Sequence, residues 1–311
     1  MKIGFIGERH NIISMTLFRQ SLMCPSVAVE WFIDSTLAPQ VYKKKYRTIK
    51  KRLSPTVFFH TIKNDCKRLC KNHGIPYYVP INCSINTGLP SSMYSNPSVD
   101  YVLIAGCDQL LDEQALTLAR NKIINYHYSI LPDYRGKFSL FWQWYNDEPR
   151  IGFSFHEVDL SIDAGQIIYQ DTIDHIPGES YAAIRKKIFD ASGAAVCKLF
   201  ECLKTGKHMT VDKPVQSRLF TIQQYYSLLT ADPSKSMNDI CEVFSKIGYF
   251  LLPNGLPIKK ILHHGSQKII SPRLSWRGIV IPLRDGYIIG STSRRIPFWM
   301  IRLLFGKKCL E

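Results

Sequence analysis

Over the first two-thirds of the chain, short apolar runs alternate with longer stretches of helical spacing, the pattern of strand-helix units winding a mainly parallel sheet. Lys2 to Ile6 reads as the first strand, closed by Gly7, with a helix opening near Asn11. Val27 to Ile33 reads as a second strand, Val57 to Lys71 has helical spacing, and Pro76 to Val79 is a short strand after a Gly-Ile-Pro turn signal. Tyr101 to Ala105 is a buried-type strand, Leu111 to Ala119 a helix and Ile123 to Tyr128 the next strand. Ile151 to Val158 and Gln166 to Ile173 pair as a hairpin, and Ser180 to Leu203, opened by a serine, has the amphipathic pattern of a covering helix. After about residue 205 the rhythm changes. Ser236 to Ile247 is helical, and the turn signals Pro253-Asn254-Gly255 and Arg284-Asp285-Gly286 punctuate a small antiparallel sheet or barrel. The expected fold is therefore α/β, a Rossmann-like mainly parallel sheet with helices on both faces over residues 1–210, plus a smaller helix-plus-β domain over 211–311.

Composition narrows the class. With 45% hydrophobic and 21% charged positions the chain can enclose a core, which excludes a disordered or fibrous protein. No apolar run approaches the roughly 20 residues of a membrane-spanning helix, and the first residues carry Glu8, Arg9 and His10 where a secretion signal would be apolar, so the expected location is the cytoplasm. Nine scattered cysteines read as reduced thiols. Cys66, Cys70 and His73 lack a fourth ligand at a recognisable spacing, so no metal is expected. Forty Lys and Arg against 25 Asp and Glu give a formal charge of +15, which favours an anionic partner without choosing among nucleotide, nucleic acid, folate tail and lipid headgroup.

Candidate chemistry concentrates between Ile123 and Gln170. One residue separates Asn125 from His127 on a strand, so both side chains leave the same side of the pleat. Pro132 disfavours helix at Leu131, which leaves His127 near a carboxyl strand end, the edge where open parallel sheets bind ligands. Asp163 stands in a turn-like stretch able to return a carboxylate to that edge. An amide, an imidazole and a carboxylate so placed suit acyl transfer to an amine: the histidine exchanges a proton, the asparagine donates to an oxyanion, the aspartate fixes the imidazole. A hydrogen-bonded core histidine and a turn-closing aspartate would leave the same trace.

The segment resembles the formyltransferases that use 10-formyltetrahydrofolate. The resemblance rests on Asn125-Tyr126-His127, Ser129-Ile130-Leu131-Pro132, Arg135-Gly136 and Asp163-Ala164-Gly165, in that order, and is clear over residues 100–205. It implies a catalytic set of Asn125, His127 and Asp163, with Gln109, Leu110 and Leu111 lining the folate opposite Asp159 to Ile162. His127-Tyr128-Ser129 and Phe141-Trp142 look most like the members that formylate nucleotide-linked amino sugars in polysaccharide biosynthesis, which implies substrate contacts at Tyr128, Arg135 and Trp142. The Gly7-to-Asn11 turn, with Arg9, His10 and Asn11 before a helix, suits a phosphate. It lacks the second glycine of some relatives. His156, alone between Phe155 and Glu157, reads as structural, and the Phe138-to-Tyr145 aromatics as one helical face directed mostly to the core. The alternatives are methionyl-tRNA or another amine as acceptor, or a non-catalytic protein that keeps the folate cleft. A homodimer is left open, as are roles for the basic runs Tyr42 to Arg52 (anionic substrate) and Arg294 to Lys308 (membrane surface).

Overall fold

The computed structural model describes residues 1–36, 65–208, 218–253, 255, 257–267, 273–275 and 278–291. The basic runs 42–52 and 294–308, residues 57–64 of the helical pattern, and Asn254 lie outside them. The chain divides into two compact units, Met1–Phe220 and Thr221–Glu311.

The first unit is built on a seven-stranded sheet. Its strands are β1 (Lys2–Gly7), β2 (Ala28–Asp34), β3 (Tyr77–Tyr78), β4 (Tyr101–Ala105), β5 (Lys122–His127), β7 (Arg150–Glu157) and β8 (Ile167–Asp174), while β6 (Arg135–Gly136) stands apart. The order is β3-β2-β1-β4-β5-β7-β8. The strands from β3 to β5 are parallel, and β7 and β8 add an antiparallel hairpin to the β5 edge. Helices α1 (Ile12–Met23), α2 (Cys66–His73), α3 (Ser91–Ser95), α4 (Glu113–Leu116), α5 (Ser139–Tyr145) and α6 (Tyr181–Thr205) complete it. Asn11 caps α1 by accepting from Ile13 N–H, and Ser180 caps α6 by accepting from Ala183 N–H, which fixes both starts.

Alternation along each strand sorts the core into two layers. Under α1, the rings of Phe5, Phe18 and Phe32 meet with centroids 4.9–5.5 Å apart. On the other face Ile6, Ile33, Val102, Ile104 and Ile123 pack with Ile85, Leu89, Leu111, Ala115 and Leu118. The second face corrects one expectation. Within residues 111–119 only Glu113–Leu116 form a helical turn, α4, followed by Thr117, whose hydroxyl lies within hydrogen-bond reach of Gln114 O and Tyr94 O. Their apolar spacing is satisfied by burial without further helix.

A second correction concerns the thiols. Cys24, at the end of α1, and Cys197, within α6, are joined as a disulfide with their Cα atoms 5.8 Å apart, because α1 and α6 pack against each other. Cys66, Cys70, Cys83, Cys107, Cys202 and Cys241 are free.

The second unit opens with α7 (Ile222–Leu229), held by a Thr221–Gln224 capping box, and α8 (Met237–Ile247), held by a Ser236–Asp239 box. Its strands form a pair, β10 (Phe250–Leu251) with β11 (Pro257–Ile258), and a four-stranded antiparallel sheet. That sheet orders β12 (Lys260–Gly265), β15 (Gly286–Ser291), β14 (Gly278–Leu283) and β13 (Arg273–Ser275). No helix among the described residues is long and apolar enough to cross a membrane.

Candidate active site

The antiparallel register of β5 and β7 sets Asn125 directly opposite His156 and His127 opposite Ser154. Directly opposed residues of an antiparallel pair point to the same side, so these four side chains share one face. Tyr126 points the other way, where its hydroxyl meets Ser192 Oγ of α6 at 2.7 Å. Asn125 Nδ2 donates to His156 Nε2 at 3.1 Å.

Asp163 completes the group. The turn between β7 and β8 folds back over this face and carries its carboxylate to 3.5 Å from His127 Nδ1 and 3.6 Å from His156 Nε2. The side chain is 14% exposed, so the carboxylate is directed inward rather than into bulk water. Gly136 N–H donates to its Oδ2 at 2.9 Å. Two features hold the loop there: Asp163 has φ 49°, a conformation aspartate tolerates, and the Arg135 guanidinium donates to Ile162 O, with Nε at 2.9 Å.

Burial opposes charge on Asp163, but the neighbouring His156 and His127 imidazoles and the Gly136 N–H outweigh it and hold the carboxyl well below the usual carboxylate range. The aspartate is an anion at neutral pH. His127 is 6% exposed, and burial lowers its pKa below the ordinary imidazole value despite the Asp163 carboxylate and the Tyr134 carbonyl. Its ring is therefore neutral at pH 7. The Tyr134 oxygen, 3.0 Å from Nε2, can only accept, which places the ring proton on Nε2 and leaves the Nδ1 lone pair beside Asp163. A proton arriving at Nδ1 would complete an imidazolium with an acceptor at each nitrogen. His156 repeats the arrangement. Its Nδ1 lies 2.8 Å from Glu157 O and donates to it, so Nε2 is the accepting nitrogen that faces Asn125 and Asp163.

The loops around this set are braced unequally. Gln109 is tied by both ends of its amide, Nε2 donating to Ser35 O at 3.1 Å and Oε1 accepting from Ile85 N–H at 3.0 Å. Leu110 beside it is 71% exposed, whereas Leu111 is buried in the second core layer. Exposed apolar residues recur at Leu160 and Ile162, next to Asp159, whose carboxylate accepts from Ser161 N–H. Lys137 Nζ meets Asp108 Oδ1 at 2.8 Å.

In the first loop Arg9 binds Asp65 with Nε at 3.1 Å and Nη2 at 2.6 Å, and its N–H donates to Asp34. Asn11 caps α1, and burial next to Arg9 lowers the His10 pKa. Tyr128 is half-buried against Tyr126 and Phe189. Trp142 lies in the core beside Phe141 and Phe220, while Phe138, placed by its spacing on that helical face, precedes α5 in a left-handed conformation and is exposed.

Sequence reasoning read His156 as structural and did not reach the Tyr134 carbonyl or the Gly136 N–H. The histidine shows only when strands are paired in register, and main-chain groups leave no residue signature. Among the described residues no cluster of three or more His, Cys, Asp or Glu could hold a metal.

Residues 91–199 match the family model described as formyl transferase. A methionyl-tRNA formyltransferase of Thermotoga maritima is 29% identical over 140 residues, 45% of this chain and 44% of that protein. One from Fusobacterium nucleatum is 22% identical over 251 residues, 73% of this chain and 77% of that protein. The chain thus spans about half the length of several curated relatives that it matches. Among solved structures, a sugar N-formyltransferase from Shewanella sp FDAARGOS_354 superposes with a TM-score of 0.57 at 12% identity, covering 87% of this chain and 99% of that one. The N-formyltransferase from Helicobacter canadensis, described in complex with folinic acid and dTDP-3-aminofucose, gives 0.54 at 15% identity, with 94% and 99% covered. At these identities the likeness is one of fold.

Proposed function

Taking residues 91–199 as a formyl transferase domain, we propose that this chain moves a formyl group from 10-formyltetrahydrofolate to the primary amine of a nucleotide-linked amino sugar. The observation that carries the reading is the inward Asp163 carboxylate set between His127 Nδ1 and His156 Nε2, with Asn125 on the same face.

The chemistry follows from that set. The free amine attacks the formyl carbon, forming the new C–N bond and placing negative charge on the formyl oxygen. Asn125, which has a second Nδ2 hydrogen beyond the one given to His156, can donate to that oxygen. His127 Nδ1 takes the proton the nitrogen sheds, and the resulting imidazolium is stabilised by Asp163 on one side and Tyr134 O on the other. Collapse breaks the bond from the formyl carbon to the folate nitrogen, which leaves with the proton returned by His127. The products are a formamide and tetrahydrofolate. For the donor, Leu110, Leu160 and Ile162 supply an exposed apolar rim suited to a flat ring system, and Gln109 stiffens the loop from behind rather than reaching outward.

The sugar acceptor is supported by the sugar N-formyltransferase folds that align over 99% of their own length. Methionyl-tRNA is the second reading, favoured by the curated relatives' names and by the formal charge of +15. A panel of amino-sugar nucleotides and charged initiator tRNA, each incubated with the donor and followed by tetrahydrofolate release, separates them. Turnover with at least one amino-sugar nucleotide is expected; turnover confined to the tRNA would replace the sugar reading, and none with either would reject both.

A further inference from the structure

The two main-chain groups that hold the catalytic pair lie within three residues of each other. Tyr134 O faces His127 Nε2, and Gly136 N–H faces Asp163. This loop is gripped from outside the catalytic segment by β9 (Leu219–Phe220), which pairs in parallel with β6, Leu219 against Arg135 and Phe220 against Gly136. Lys137 N–H donates to Phe220 O at 2.9 Å. The buried Phe220 ring stacks on Tyr134 with centroids 5.2 Å apart and planes 11° from parallel, and lies 5.0 Å from Trp142. The Arg218 guanidinium sits 5.0 Å from its centroid. The approach is close: Gly136 has φ +92°, and a Cβ there would fall 2.3 Å from Phe220 O. A two-residue strand pair has too few ladder bonds to persist by itself, so the ring contacts decide whether the strap stays down.

We propose that Phe220 is a positioning residue for the reaction, holding the 134–137 loop so that its carbonyl and amide stay on His127 and Asp163. The proposal rests on the formyl-transfer reading for the word reaction, not for the geometry. It assigns a task to a segment that lies beyond the family match.

The test is a titration of the His127 imidazole by nitrogen and carbon NMR in the parent, Phe220→Ala, Phe220→Leu and Phe220→Tyr, with the signal assigned by His127→Gln. The ionisable groups facing His127 are Asp163, His156 and Arg135, and none is altered by these changes. Burial, the largest influence, lowers the pKa of the ring and the Tyr134 carbonyl raises it, so freeing the loop should displace the His127 titration from that of the parent. Phe220→Ala and Phe220→Leu are expected to show that shift and a fall in kcat of about tenfold or more with KM held within about twofold, as loss of transition-state positioning requires. Phe220→Tyr, which keeps the ring, should restore both. Parent-like titration in Phe220→Leu with a lowered Tm would overturn the proposal, because a purely structural phenylalanine predicts that result. The titration needs neither donor nor acceptor, so a parent that turns over no amine would sink the formyl-transfer reading and leave this test intact.

Discussion

Asp163 is an anion shared by two imidazoles, and at the residue scale the consequences are electrostatic. The carboxylate favours a proton on His127, so Asp163→Asn should push the His127 pKa lower still and reduce kcat by about 10²–10⁴-fold, the usual weight of a positioned proton-transfer group. An NMR titration beside steady-state kinetics checks both; unchanged kcat would refute the role. Stability carries a related mark. The His127 pKa is lowered on folding, so the stability it contributes is fully present above its unfolded value of about 6.5 and is lost as the pH falls through the folded value. Asp163 loses its contribution in the same direction but only below about pH 3.9. Denaturant unfolding of His127→Gln between pH 7 and pH 5 should therefore show a flatter decline than the parent, by at most about 1.4 kcal/mol per pH unit for one proton. The lowered His10 remains as the residual slope in that window.

At the scale of elements, the loop between β7 and β8 acts as a bracket for its aspartate. Gly165 is packed so tightly that a Cβ would stand 1.9 Å from Glu157 O, which belongs to the strand carrying His156. Gly165→Ala must displace the loop and Asp163 with it. The expected result is a fall in kcat of at least about tenfold with Tm lowered by a few degrees, since one surface loop and not the core is disturbed; kcat within twofold of the parent would show that the loop does not set the aspartate. How far such features can be read in a sequence depends on the range over which they are encoded. β4, β5, the β7–β8 hairpin, α6 and α8 are legible because period and capping residues are local signals. Asn125 and His127 are legible because two residues on one strand fix their own relative direction. His156 is not, since its meeting with Asn125 depends on strands paired across 31 positions, nor is the grip of Asp65 on Arg9 across 56. The Cys24–Cys197 bond, 173 positions apart, depends on two helices packing together. The α7 helix is a different case: its Thr221–Gln224 box is a local signal, but eight residues give too short a period to stand out.

At the scale of the whole molecule, the question is what the net charge serves. A tRNA acceptor engages many phosphates, so its binding would weaken steeply with salt, whereas a sugar nucleotide presents few charges and would respond weakly. Acceptor KM measured between about 50 and 200 mM salt should change by less than about tenfold if the acceptor is a sugar nucleotide; a loss of about 10³-fold would indicate polyanion recognition. Neither outcome bears on the proposed catalytic set of Asn125, His127 and Asp163, which lies wholly within the first unit. The measurement that reaches that set most directly supplies 10-formyltetrahydrofolate labelled at the formyl carbon to the parent, His127→Ala and Asp163→Asn, and follows the label into an amino-sugar nucleotide by mass spectrometry. The label should appear as a formamide with the parent and fall by at least about 10²-fold in both variants. Equal labelling by all three would contradict the account.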